Sequence, residues 1–195
     1  MRSLDLNILL WFNHLSGHSH SFDRAVALFT GGSPALFGAL FAYYFIRPGA
    51  QAGQMRRTVL LSGLSGVAAI SLTLLAGLVI YRARPFVSLP PGQLRLLIPH
   101  AADSSFPSDH TMGSAAFAAG MWRAPERSAR WVFLIVALLV SASRLVAGVH
   151  WPSDVLGSLL LGGLVAWGVF ALEGLLTPVL DWILKIYGRV VRVAQ

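Results

Sequence analysis

Cysteine is absent from the 195-residue chain, which excludes a disulfide scaffold, a catalytic thiol and a cysteine-ligated metal. Charge is scarce too: 12% of the residues are charged, about half the share of a soluble domain. That is too little polar material to cover a soluble globule. Disorder is excluded by an apolar content of 55%, and collagen by glycines without a three-residue period. Negative charge is the scarcest: 8 acidic residues face 15 basic ones, a formal +7. A basic balance often signals nucleic acid. Here the arginines and the single Lys185 are scattered between apolar runs, and none forms a face long enough to track a phosphodiester backbone. No nucleic-acid partner is expected. A cleavable signal peptide is not expected either, since MRSLDLNILLWFNHL carries Asp5 within its apolar stretch and has no small-residue cleavage site.

What is present is hydrophobicity, with a mean hydropathy of +0.66. The length suits one domain over residues 1–195, and a spanning helix needs ~20 apolar residues. Five segments meet or approach that: Ala25–Ile46, Thr58–Tyr81, Thr111–Trp122, Trp131–Val149 and Val155–Leu172. The first is interrupted by Gly31-Gly32-Ser33-Pro34, which predicts a kink or a short re-entry there. Leu4–Leu15 is too short to cross unaided and reads as an amphipathic or half-inserted helix. Pro178–Val193 mixes Asp181, Lys185, Arg189 and Arg192 with apolar residues and reads as an interfacial helix. The expected fold is an all-α polytopic membrane bundle of about six helices, five spans plus the N-terminal helix, followed by the interfacial segment.

Parity of the spans puts Arg47, Arg56 and Arg57, then Arg123, Arg127 and Arg130, then Lys185, Arg189 and Arg192 on one side. The positive-inside rule names that side cytoplasmic. The same parity brings loops 82–110 and 144–154 out together on the opposite face, and they hold most of the unusual polar residues.

The first loop reads YRARPF and then LIPHAADSSFPSDH; the second reads SRLVAGVHWPSD. Charged groups near hydrocarbon cost about 2.5–3.5 kcal/mol each on insertion scales, so such groups persist where they pair, line a polar cavity or bind a ligand. Arginines match phosphate oxygens bidentately. Pro107 and Pro152 each suit a first helical position, which would present Ser108-Asp109-His110 and Ser153-Asp154 in opening turns, where free amides favour an anion. Asp154 stands four residues after His150. That spacing allows the carboxylate to take Nδ1–H and leave Nε2 as a nucleophile. His110 is then a candidate general acid. Other residues have plainer readings. His100 and Asp103 read as loop-shaping residues, and His14, His18 and His20 as solvated loop histidines rather than metal ligands.

At these positions the chain resembles the type 2 phosphatidic acid phosphatase superfamily, whose signature is Lys-x6-Arg-Pro, Pro-Ser-Gly-His and Ser-Arg-x5-His-x3-Asp. The third element is complete as Ser143, Arg144, His150 and Asp154. The second appears as Pro107-Ser108-Asp109-His110, with Asp for Gly. The first keeps Arg84-Pro85, with Gly77 at the Lys position and Arg82 out of register with the motif. The resemblance covers about residues 57–172. With Asp before the acid histidine and no leading Lys, the chain looks like the bacitracin-resistance branch of bacterial undecaprenyl-diphosphate phosphatases. That branch recycles the lipid carrier of wall synthesis.

The resemblance implies His150 as nucleophile through a phosphohistidine, Asp154 as its orienting partner and His110 as acid. Arg84, Arg144 and Ser108 would hold the phosphate. Asp109 is a tuning candidate, since a carboxylate beside an imidazole favours imidazolium. A histidine nucleophile needs no metal-bound hydroxide, so neither metal nor other cofactor is expected. The expected partners are a polyprenyl diphosphate and membrane lipids. Phosphatidylglycerophosphate, phosphatidic acid or a shorter isoprenoid diphosphate would suit the same site. A non-catalytic lipid-binding or transport protein is the rival of another class, and an intact His110, His150 and Asp154 speaks against it.

Overall fold

The structure is a computed structural model and describes residues 2–193. Among these residues it has eight helices and no strand. They are α1 (Arg2–Asn13), α2 (His20–Ile46), α3 (Ala52–Gly77), α4 (Pro85–Ser88), α5 (Asp109–Met121), α6 (Arg127–Val146), α7 (Pro152–Ala171) and α8 (Glu173–Val193). Helices α2, α3, α6 and α7 are long and apolar enough to cross a membrane. Their outward residues are bare hydrocarbon: Leu74, Leu160, Leu164 and Trp167 are each more than 60% exposed. A monomer facing water would not sustain such a belt, and the chain is a multi-pass membrane protein.

The first span does not re-enter at Gly31-Gly32-Ser33-Pro34. Helix α2 runs through Pro34. Proline removes the amide that would bond the Thr30 carbonyl, but the Ser33 hydroxyl donates to that carbonyl at 3.1 Å. A side chain of the same turn thereby satisfies the freed backbone group.

Helix α5 is the hub and packs against α3, α6 and α7. Its 13 residues extend only ~20 Å at 1.5 Å per residue, short of a full crossing. Small residues let its neighbours approach. A Cβ on Gly120 would lie 2.8 Å from Cα of Ser62, and the Ser62 hydroxyl donates to the Phe117 carbonyl at 2.8 Å. At one end of the bundle Phe37 and Tyr44 of α2 pack with Met55, Met121, Phe133 and Val140. That end also gathers the basic groups: Arg47 pairs with Glu126 at 2.8 Å, and Arg57 with Glu173 at 2.6 Å and Asp181 at 2.9 Å. Helix α8 starts five residues before the expected interfacial segment, directly after Leu172, and is drawn onto α3 by those Arg57 contacts.

Candidate active site

The opposite end of the bundle brings the two polar loops together, and a helix terminus sets the geometry. Helix α6 closes in a Schellman motif: Gly148 N–H donates to Leu145 O at 3.0 Å and Val149 N–H to Arg144 O at 3.2 Å. Gly148 takes φ +76°, a left-handed backbone that costs a side-chain-bearing residue about 1–2 kcal/mol. A Cβ there would also meet the Arg95 carbonyl at 2.8 Å. Gly148→Ala is therefore expected to lower the thermal unfolding midpoint in detergent and to reduce activity in parallel. An unchanged midpoint would show that the turn tolerates a side chain.

The turn delivers His150 to a buried position between the loops. Its Nδ1 lies 2.8 Å from the Ser105 carbonyl and its Nε2 lies 3.1 Å from Nη1 of Arg84. A carbonyl only accepts, so Nδ1 carries the hydrogen, and Nε2 accepts from Arg84 with its lone pair. Burial, with Arg144 and Arg84 behind it, holds the imidazole well below its ordinary range. Further bonds join the loops, from Trp151 Nε1 to Ala83 O at 2.9 Å and from Arg84 Nη1 to Val149 O at 3.0 Å.

Asp154 is placed differently from the spacing argument. Its Oδ2 is 3.9 Å from Nδ1 of His150, beyond hydrogen-bond reach. As the third residue of α7 it caps the helix instead, accepting from Trp151 N–H at 3.0 Å, and it also accepts from the Ser105 hydroxyl. It therefore reaches His150 through Ser105, whose side chain it holds and whose carbonyl fixes the imidazole. Pro107 likewise lies one residue before the cap Ser108 rather than at the first helical position, because Ser108 is extended and its N–H donates to Ser158 Oγ.

Three residues outside the expected set complete the scaffold. Arg82 donates to Asp154 Oδ1 at 2.5 Å and to Asp5 Oδ2 at 2.8 Å. Asp5 accepts from Ser153 N–H at 2.8 Å. Asn13 bridges Arg95 and the Val146 carbonyl. Helix α1 thus clamps both loops.

Donors without a partner among the described residues stand at the start of α5 and on Arg144. Ser108 Oγ, Thr111 Oγ1, Arg144 Nε and Arg144 Nη2 are buried and unbonded. Each such group costs about 1–3 kcal/mol, more when charged, and together they suit an oxyanion at the start of α5, where the helix dipole also favours negative charge. Arg84, also buried, keeps Nε on Asp103 at 2.8 Å. Gly77 lines the adjoining polar cleft, and nothing lies within 4 Å of where its Cβ would be. His110 Nδ1 contacts Asp109 Oδ1 at 2.9 Å. Both residues stand at the edge of a groove of about 390 Å³ between α2, α3 and α5, otherwise lined by residues such as Phe37, Phe41, Val67 and Ile70. His14, His18 and His20 are exposed, and no group of three or more metal-binding side chains occurs among the described residues.

Known proteins similar to this chain point to a family. The chain is 39% identical over 138 residues to the undecaprenyl-diphosphatase BcrC of Bacillus subtilis, covering 71% of this chain and 69% of that protein. Its fold is similar to the crystal structure of Aquifex aeolicus LpxE, with a TM-score of 0.64 and 24% identity over 86% of this chain and 95% of that one. It is also similar to a PAP2-type phosphatidylglycerolphosphate phosphatase from Bacillus subtilis, with a TM-score of 0.58 and 21% identity over 89% of this chain and 86% of that one. Residues 58–177 match the PAP2 superfamily, and the chain belongs to that superfamily as one of its multi-pass membrane phosphatases.

Proposed function

We propose that the chain hydrolyses undecaprenyl diphosphate to undecaprenyl phosphate and inorganic phosphate at the extracytoplasmic face of a bacterial plasma membrane, recycling the wall-synthesis carrier. The observation that carries this reading is the buried His150 ring, held at Nδ1 by the Ser105 carbonyl with Nε2 against Arg84, in a fold that also leaves buried donors of Arg144, Ser108 and Thr111 unbonded. His150 Nε2 attacks the terminal phosphorus, and the bond from phosphorus to the bridging oxygen breaks. His110 protonates the departing lipid phosphate. Water then cleaves the phosphohistidine. Arg84, Arg144 and Ser108 neutralise the equatorial oxygens, which is most of what phosphoryl transfer demands. Asp154 and Arg82 act as positioning residues, and Asp109 holds His110 in orientation. The isoprenoid lies in the apolar groove whose rim carries His110, and the name of the Bacillus subtilis relative supports that substrate.

The test is phosphate release by purified protein from undecaprenyl diphosphate, farnesyl diphosphate, phosphatidylglycerophosphate and phosphatidic acid, with and without chelator. The long isoprenoid diphosphate is expected to lead, with chelator without effect. Preference for phosphatidic acid or phosphatidylglycerophosphate would reassign the substrate. Loss of rate on chelation, restored only by metal, would contradict the histidine mechanism.

Because burial lowers His150 from the ordinary imidazole value of 6.5, the nucleophile stays neutral as pH falls through that value. The acid limb of kcat/KM that His150 contributes is expected below pH 6.5. An unfolded chain binds that proton first, so stability also falls below pH 6.5. A pH–rate profile and unfolding midpoints measured across that range check both.

A further inference from the structure

His100 has no role in the proposed reaction, but its surroundings are those of the site. Its ring stands edge-on to that of His150, with centroids 6.3 Å apart. It lines the polar cleft with Arg84, Asp103 and Asp109. Its Nδ1 contacts the Ala101 carbonyl at 3.2 Å. A carbonyl only accepts, so Nδ1 holds the hydrogen and the neutral ring offers a lone pair at Nε2. Nε2 has no hydrogen-bond partner among the described residues. A lone pair beside an incoming phosphate is repulsive, whereas an N–H there is a charge-assisted donor.

We propose that His100 is a substrate contact, which takes up a proton at Nε2 as a phosphate dianion enters the cleft and then donates to one of its oxygens. The proposal rests on the phosphatase reading of this site. The groups facing His100 explain the coupling. Arg84 from its own loop and Arg144 from α6 are cationic. Asp103, with Oδ1 3.8 Å from Nδ1, is anionic but shared with Arg84. His150 is neutral, and α5 contributes the Asp109–His110 pair. Without an anion, burial and Arg84 keep His100 below its ordinary range. A dianion between the two arginines offsets their field and leaves Asp103 to favour the imidazolium. The proton comes from solvent, and no bond to carbon or phosphorus changes.

Tungstate is the probe, since it stays a dianion across the neutral range and adds no titration of its own. Calorimetry on the full chain in detergent near pH 7.5, in two buffers of different ionisation heat, counts protons taken up. Wild type is expected to take up about one proton per tungstate. His100→Gln is expected to lose that uptake and about tenfold in affinity, the scale of one charge-assisted hydrogen bond. His100→Lys, a standing cation, is expected to recover the affinity without uptake and to keep it near pH 9, where wild type weakens. His100→Asn serves where the Gln variant does not fold. Equal affinity and uptake in wild type and His100→Gln would overturn the proposal, as would a Lys variant no tighter than Gln. Failure of the phosphatase reading looks different: wild type itself would neither bind tungstate nor release phosphate from undecaprenyl diphosphate.

Discussion

Replacing His150 with alanine is expected to lower phosphate release by at least about 10⁴-fold, the scale seen when a covalent nucleophile is removed. The side chain is fully buried, one ring nitrogen is spoken for by Ser105 and the other faces Arg84. The variant keeps Arg84, Arg144 and Ser108, so it is expected still to bind tungstate, which separates lost chemistry from lost folding. Rapid quenching of wild type with labelled substrate is expected to trap an acid-labile, alkali-stable phosphoenzyme that the variant lacks. A variant retaining a tenth of the wild-type rate would remove this histidine from the reaction.

The second large effect has two opposite signs. Arg144 is 1% exposed, and its Nε and Nη2 have no partner among the described residues. A buried charge held this way is a liability until an anion arrives. Arg144→Met, which keeps much of the volume, is expected to cut kcat/KM by about 10²–10³-fold, as loss of a preorganised electrostatic donor does. It is also expected to raise the unfolding midpoint of the protein without ligand. Wild type should gain stability with rising tungstate by mass action, and the variant should not. Arg144→Lys is expected to recover only part of the activity, because a point charge cannot reproduce the planar fork. A fall in midpoint for Arg144→Met would show that the guanidinium stabilises the resting fold, contrary to its unbonded nitrogens.

Much of this fold is written in hydropathy and motif spacing. The apolar runs of α3, α6 and α7 were visible as runs, and parity alone put loops 82–110 and 144–154 on one face. What stayed hidden has physical reasons. The partner of His150 Nδ1 is a backbone carbonyl, that of Ser105, and a carbonyl leaves no mark on residue type. Asp5 and Asn13 are single polar residues on a short apolar helix, and their partners Ser153 and Val146 lie more than 130 positions away. Asp154 followed the motif in position but not in contact, because a carboxylate in the first turn of a helix is claimed by the cap. Thr111 looked like the start of a span and lies instead among the unbonded donors. The Gly31–Pro34 stretch reads as a kink or a re-entry, yet α2 continues through it and the Ser33 hydroxyl donates to the freed Thr30 carbonyl.

The apolar groove between α2, α3 and α5 is open along its side, where Val67 is 60% and Ile70 38% exposed. A chain seated there arrives by lateral diffusion and never crosses water. Turnover would then respond to the mole fraction of substrate in the bilayer rather than to its amount per millilitre. Diluting the carrier with inert lipid at constant total substrate would slow the reaction.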